Sequence, residues 1–265
     1  MLKFAANLTM MFNEVPFIER FSAAAEAGFQ GVEFLFPYQY DADELQSIIS
    51  RQGLTTVLFN APPGQWQQGE RGLASLPDRE HDFRDSIEQV IYYANILDCR
   101  QVHIMAGNIQ PELAPQEQQA QFIKRLSYAA DRLLPQGIRI LIEPINPVDM
   151  PDYFLKTLDQ AQQIIHLVNK PNIAIQFDIY HCQRTQGNIL NSLEKHINNI
   201  GHIQIASAPD RHEPDNGEIN YPWLLEKLER INYHDWIGCE YYPAGNTAEG
   251  LSWLHKINHN LSKKY

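Results

Sequence analysis

The sequence predicts the α/β class and, within it, a single (β/α)₈ barrel spanning residues 1–265. Three observations carry that expectation. Eight short apolar runs recur from end to end, segments of helical period separate them, and no G-x-G-x-x-G follows the first run. The near-equal units favour a closed barrel over an open doubly wound sheet, and the missing glycine fingerprint weakens the dinucleotide-binding alternative. At 265 residues the chain also has the size that eight βα units need, about 250 residues.

The first run, residues 4–8, lacks strict alternation, as a parallel strand buried on both faces should. Phe17-Ile18-x-x-Phe21-x-x-Ala24-Ala25 follows as one apolar stripe, and Gly28 is its natural stop. Residues 32–36 and 55–59 read as the second and third strands. The segment 80–97 has Phe83, Ile87, Val90-Ile91 and Ala94 on one side, and residues 102–105 form the fourth strand. A helix over 116–134 presents Phe122, Leu126, Ala129-Ala130 and Leu133; its Gln-rich start is a solvated face. Residues 138–142, 173–177, 202–206 and 236–239 complete the strands. Pro222 sits in the first turn of a helix over 223–228, where its missing N–H costs nothing. Nothing in the chain marks a linker or second domain.

Composition narrows the function classes. The hydrophobic share of 44% supports a sizeable core. A net charge of −11 repels phosphate backbones and anionic lipid heads, so neither nucleic acid nor a membrane is expected as partner. A local basic cluster can still admit a small anion. Cys99, Cys182 and Cys239 are sparse and unpatterned, neither a disulfide framework nor a zinc spacing, which fits a reducing cytoplasm. Asn7, Asn13 and Glu14 interrupt any signal-peptide core, and no window approaches the roughly 18 apolar residues of a membrane span. The sequons at Asn7 and Asn260 are read as chance matches. No signal indicates an oligomeric state.

Chemistry gathers where strands end. In such barrels the active site forms at the C-terminal ends of the strands. Ile140-Leu141-Ile142 runs into Glu143-Pro144, Ile173 to Phe177 into Asp178, His202-Ile203 into Gln204, and Trp236 to Cys239 into Glu240. The four lie about one βα unit apart, so a barrel turns them toward one axis. Three converging carboxylates repel unless a cation sits between them. Three carboxylates and an amide oxygen suit Mg²⁺ or Mn²⁺ better than Zn²⁺. A lone acid after a strand is more often a helix cap or solvated; three acids and an amide at matching depth on successive strands point instead to a shared site.

Longer motifs then bear on identity. Ala5-Ala6-Asn7-Leu8, Gly69-Glu70-Arg71-Gly72, Leu141-Ile142-Glu143-Pro144-Ile145-Asn146, Gln176-Phe177-Asp178-Ile179-Tyr180-His181, Gly217-Glu218-Ile219-Asn220-Tyr221 and Gly238-Cys239-Glu240-Tyr241 closely resemble the hydroxypyruvate isomerase family. That family includes the 2-oxo-tetronate isomerases, within the xylose-isomerase-like TIM barrels. The resemblance covers essentially the whole chain. It implies an isomerase of a short sugar acid, with Glu143 and Glu240 transferring protons and Glu143, Asp178, Gln204 and Glu240 ligating the metal. His181 and Arg211 resemble the substrate-binding His and Arg of related sugar epimerases, and Arg71 and His103 could also reach the site. Glu33 reads as a buried, paired carboxylate, and Glu218 as charge at a helix start. Cys182 and Cys239 have no positioned base, so none of these four is included.

The implied reaction converts hydroxypyruvate to tartronate semialdehyde through an enediolate, with the metal chelating its oxygens. The rivals are a 2-oxo-tetronate isomerase, an isomerase or epimerase of a neutral ketose, a metal-dependent endonuclease of the same superfamily and a non-catalytic sugar-acid binder. Three carboxylates and a divalent ion leave one net negative charge, which a substrate carboxylate would double. Arg211, with His181, is expected to offset it, since a guanidinium fork matches a carboxylate. Asp210 and Glu213 could occupy that arginine instead.

Overall fold

The computed structural model describes residues 2–231 and 233–262. Eight parallel strands close in chain order: β1 (Lys3–Asn7), β2 (Gly31–Phe34), β3 (Thr55–Asn60), β4 (Gln101–His103), β5 (Arg139–Ile142), β6 (Ile173–Asp178), β7 (Ile200–Ile205) and β8 (Trp236–Cys239), with β8 pairing back onto β1. Helices α1 (Phe17–Glu26), α2 (Ala42–Arg51), α3 (Glu80–Ile96), α4 (Pro115–Leu133) and α5 (Leu158–Val168) occupy the first five connections. Beyond β6 the connection carries α6 (Ile179–Thr185) and α7 (Ile189–His196). Then come α8 (Tyr221–Arg230), α9 (Thr247–Gly250) and α10 (Ser252–Ser262). Among the described residues no helix is long and apolar enough to cross a membrane.

The predicted architecture is the observed one, with shifted boundaries. β4 ends at His103, so that residue closes its strand rather than sitting mid-strand; the chain turns away at Gly107, whose φ is +100°. β2 stops at Phe34, after a register shift between Val32 and Glu33. There Leu35 donates its backbone N–H to Thr9 Oγ1 instead of continuing the ladder. α8 extends beyond the apolar pattern at both ends, because Asn220 caps it through Trp223 N and polar residues complete its last turn.

The core has two compartments. Phe21, Phe34, Phe59, Phe83, Phe122, Phe177 and Trp253 fill the layer between strands and helices. Inside the barrel, Ala5, Val57, Leu58, Leu141 and Ala174 pack with Trp236 into an apolar plug. Gly31 makes room for it, since a Cβ there would lie 2.7 Å from the Trp236 ring. Side chains two residues apart on a strand share a face. The same inward rows therefore climb from Ala5 to Asn7, Gly31 to Glu33, Leu141 to Glu143, Ala174 through Gln176 to Asp178, and Trp236 through Gly238 to Glu240. Above the plug, the barrel is polar.

Candidate active site

Glu143 and Glu240 are the first residues beyond β5 and β8, and Asp178 is the last of β6. All three are buried, at 4%, 7% and 4% exposure. Asp178 is fixed by its backbone role, since its Oδ1 accepts from Tyr180 N at 2.8 Å as the cap of α6. One ligand atom each from Glu143, Asp178, Glu240 and His181 lies within 4.8 Å of the others. Glu143 Oε1 and Asp178 Oδ2 are buried without a hydrogen-bond partner. Oxygens so placed fit a divalent cation, which would satisfy them.

Electrostatics reinforce that fit. Burial, with the Glu240 and Asp178 charges beside it, holds the Glu143 carboxyl well above the usual range. Burial likewise pushes Asp178 up to about 6 and Glu240 up to about 8, with Arg211 opposing both. The folded site thus keeps protons that the unfolded chain has released, so this stability is fully present below about pH 3.8 and is lost as pH rises from there through these values. A divalent ion held there would replace the protons. The gap in melting temperature between ion-loaded and chelator-treated protein is therefore expected to widen from about pH 5 to about pH 8. A gap constant across that window would overturn the raised carboxylates.

Arg211 is nearly enclosed by acid. Its Nη2 donates to Glu240 Oε2 at 2.7 Å and lies 3.5 Å from Asp178 Oδ2, while Nη1 lies 3.5 Å from Asp149 Oδ2. Burial alone would lower its pKa, but the Glu240, Asp178, Glu143 and Asp149 carboxylates outweigh that and raise it. The guanidinium also lies 4.9 Å from the Tyr180 ring. The residues engaging Arg211 are therefore not Asp210 or Glu213. Asp210 is exposed, and Glu213 accepts from Ala244 N.

His103 and His181 line the same space. His103 Nδ1 lies 3.6 Å from Glu143 Oε2, and both ring nitrogens are buried without a hydrogen-bond partner. Burial pushes this imidazole down to about 3, so it is neutral. His181 Nε2 lies 3.6 Å from Asp178 Oδ2 and 3.8 Å from Glu143 Oε1. Burial and the Arg211 charge hold it well below the usual imidazole range.

Gln204 and Glu33 meet beneath the carboxylates. Gln204 donates from Nε2 to Glu33 Oε1 at 2.8 Å, and its Oε1 accepts from Gln176 at 2.6 Å, leaving that oxygen one further lone pair. Glu33, 1% exposed, also accepts from Asn7 Nδ2 at 3.0 Å and pairs with His202 Nε2 at 2.7 Å. The same Asn7 amide donates to Glu240 Oε1 at 3.0 Å. Gly238 is required here, because a Cβ would run into the Glu33 carboxylate. Glu33 is buried and paired as the sequence suggested, but its partners reach Glu240 and Gln204, which strand position alone did not reveal. Asn7, in a sequon, is buried in this network.

Arg71 stands apart from this cluster. Its guanidinium stacks 4.0 Å from the Trp66 ring and donates to the Trp66 and Glu70 carbonyls. Its own carbonyl accepts from Gly107 N, which ties it to the loop after β4. Glu218, left out of the site, accepts from Gln183. Cys182 and Cys239 are buried thiols whose pKa values burial raises, which suits neither as nucleophile.

The family model described as "Xylose isomerase-like TIM barrel" matches residues 21–257. A 2-oxo-tetronate isomerase of Cupriavidus necator is 49% identical, over 96% of this chain and 98% of the relative. The hydroxypyruvate isomerase of Escherichia coli is 42% identical over the same shares. A crystal structure titled as an AP endonuclease, family 2, from Brucella melitensis is 50% identical with a TM-score of 0.95, covering 97% of this chain and 99% of that one.

Proposed function

We propose that this chain, which belongs to the xylose isomerase-like TIM barrel family, isomerises a short sugar acid, hydroxypyruvate to tartronate semialdehyde, by proton transfer between two glutamates. One observation carries the reading. Glu143 and Glu240 are buried on one ion-sized cluster, and burial raises both carboxyls above their ordinary range, so that each can hold a proton as well as release one. A divalent ion, Mg²⁺ or Mn²⁺, held by Glu143, Asp178 and Glu240 with the Gln204 oxygen, would stabilise the negative charge that develops on the substrate oxygens.

The chain's own residues do the rest. One glutamate takes the C3 proton and the other returns a proton to C2, while the hydroxyl proton passes from the C3 oxygen to the C2 oxygen. The pair titrates together, so neither is assigned alone as acid or base. Arg211 brings positive charge for the substrate carboxylate, and His103 and His181 line the cavity as neutral hydrogen-bonding groups. Arg71, stacked on Trp66, is the outermost candidate to contact the substrate.

The four-carbon acid, 2-oxo-tetronate, is the second reading; three relatives at 47–49% identity are named for its isomerisation. A nuclease reading has less support, because a chain of net charge −11 repels a phosphate backbone. The test is turnover of hydroxypyruvate, 2-oxo-tetronate, fructose and tagatose in deuterated water. The expected result is that an acid is preferred by about tenfold or more in kcat/KM, a difference of about 1.4 kcal/mol, and that its product carries deuterium at C2. Better turnover of the neutral ketoses, or no deuterium at low conversion, would sink the proposal.

A further inference from the structure

His181 faces two kinds of neighbour. On its Nδ1 side stands Asn146, which is fully buried in the loop after β5. The Asn146 side-chain oxygen accepts from Val148 N and Asp149 N, both at 2.9 Å. Backbone N–H groups only donate, so these contacts fix which end of the amide is oxygen. The NH₂ end is thereby turned to His181 Nδ1 at 2.6 Å. The Asn146 backbone N–H points to the same nitrogen at 3.5 Å. Two donors on Nδ1 require that nitrogen to be the acceptor, with its lone pair bare.

The opposite nitrogen meets acceptors. Nε2 lies 3.6 Å from Asp178 Oδ2 and 3.8 Å from Glu143 Oε1, two buried oxygens without a hydrogen-bond partner, the first of them also 3.5 Å from Arg211 Nη2. Arg211 Nη2 is also 3.5 Å from Nε2, but its short contact is the one to Glu240 at 2.7 Å. From this polarity we infer that Asn146 is a positioning residue that locks His181 in the Nε2–H tautomer, making His181 an N–H donor to the site rather than a ligand of its ion. A ligating imidazole must offer a bare nitrogen, and the bare nitrogen here faces away from the carboxylates. The fourth ligand is then an oxygen, and the Nε2–H is free to hold an oxygen of the substrate. What the donor serves rests on the isomerase reading; the tautomer does not.

The tautomer is read directly by two-bond ¹H–¹⁵N correlations on the ¹⁵N-labelled protein with saturating Mg²⁺, His181 being assigned by the signals lost in His181→Gln. The expected pattern is a protonated Nε2 and an unprotonated Nδ1. Asn146→Asp keeps one oxygen for the two backbone donors and presents the other to Nδ1, so the proton is expected to move to Nδ1. kcat/KM is then expected to fall by about ten- to a hundredfold, the range of lost supporting contacts around metal sites. A protonated Nδ1 in the wild type, or an unchanged tautomer in a folded Asn146→Asp protein, overturns the inference. If the variant does not fold, the wild-type spectrum alone decides. The Nε2–H pattern in a protein that turns over no sugar acid would sink the isomerase reading and leave the role of Asn146 standing.

Discussion

Glutamine at Glu143 or Glu240 is expected to cut turnover about 10³-fold, within the usual range of a lost general acid or base, while the barrel still folds. The amide keeps the shape and one oxygen but cannot exchange a proton. The two variants should differ in stability. At Glu143 the change removes one of three mutually repelling buried carboxylates, and its nearest ring nitrogens, on His103 and His181, stand 3.6 and 3.8 Å away, so chelator-treated protein should melt no lower than wild type. At Glu240 one carboxylate oxygen accepts from Asn7 and the other from Arg211. Whichever way a glutamine amide turns, its NH₂ meets a donor, and melting should fall. Circular dichroism melts beside a turnover assay measure both effects. Activity within about tenfold of wild type, about 1.4 kcal/mol in the barrier, would remove that glutamate from the proton-transferring pair.

Asn at position 178 separates ion binding from proton transfer. Asp178 has no proton to move in the proposed reaction, but its Oδ2 is one of the two orphaned oxygens. Its Oδ1 caps α6, a task asparagine performs about as well, so the fold should persist. Turnover at ion concentrations that saturate the wild type is expected to drop about a hundredfold or more. The ion-dependent rise in melting temperature should vanish with it. Binding at a hundred times Kd stabilises by about 2.7 kcal/mol, which a calorimeter resolves easily. A full ion-dependent shift in Asp178→Asn would show that the ion is held elsewhere.

The parts of this molecule legible in the sequence share a physical reason. A parallel strand buried on both faces must be an apolar run, so eight such runs announce eight strands whichever way each residue points. A charge straight after such a run is costly wherever it lands, which is why Glu143, Asp178 and Glu240 stood out. Glu33 and Asn7 did not, because a polar residue within a strand reads the same whether it faces the barrel axis or the helices. Only the closed register places both beneath Glu240 and Gln204. Asn146 was visible as part of a motif, but its role depends on the direction of an amide, set by backbone groups two and three residues on. Strand ends such as His103 moved because hydrogen bonds, not hydropathy, decide where a ladder stops.

The bond from Asn7 to Glu240 spans 233 positions of chain. Thr247 is tied back in the same way to Phe12 and Glu14. During synthesis, then, β1 through β7 leave the ribosome before the last wall of the candidate site exists. Contacts of such long separation slow the final closing of a domain. A nascent chain halted before β8 holds Glu143 and Asp178 with neither Glu240 nor the partner strand of β1, an unsealed sheet with two exposed edges for neighbouring polypeptides to pair with. A chain that stops before Glu240 is consequently expected to show no turnover, however well its first seven strands are formed.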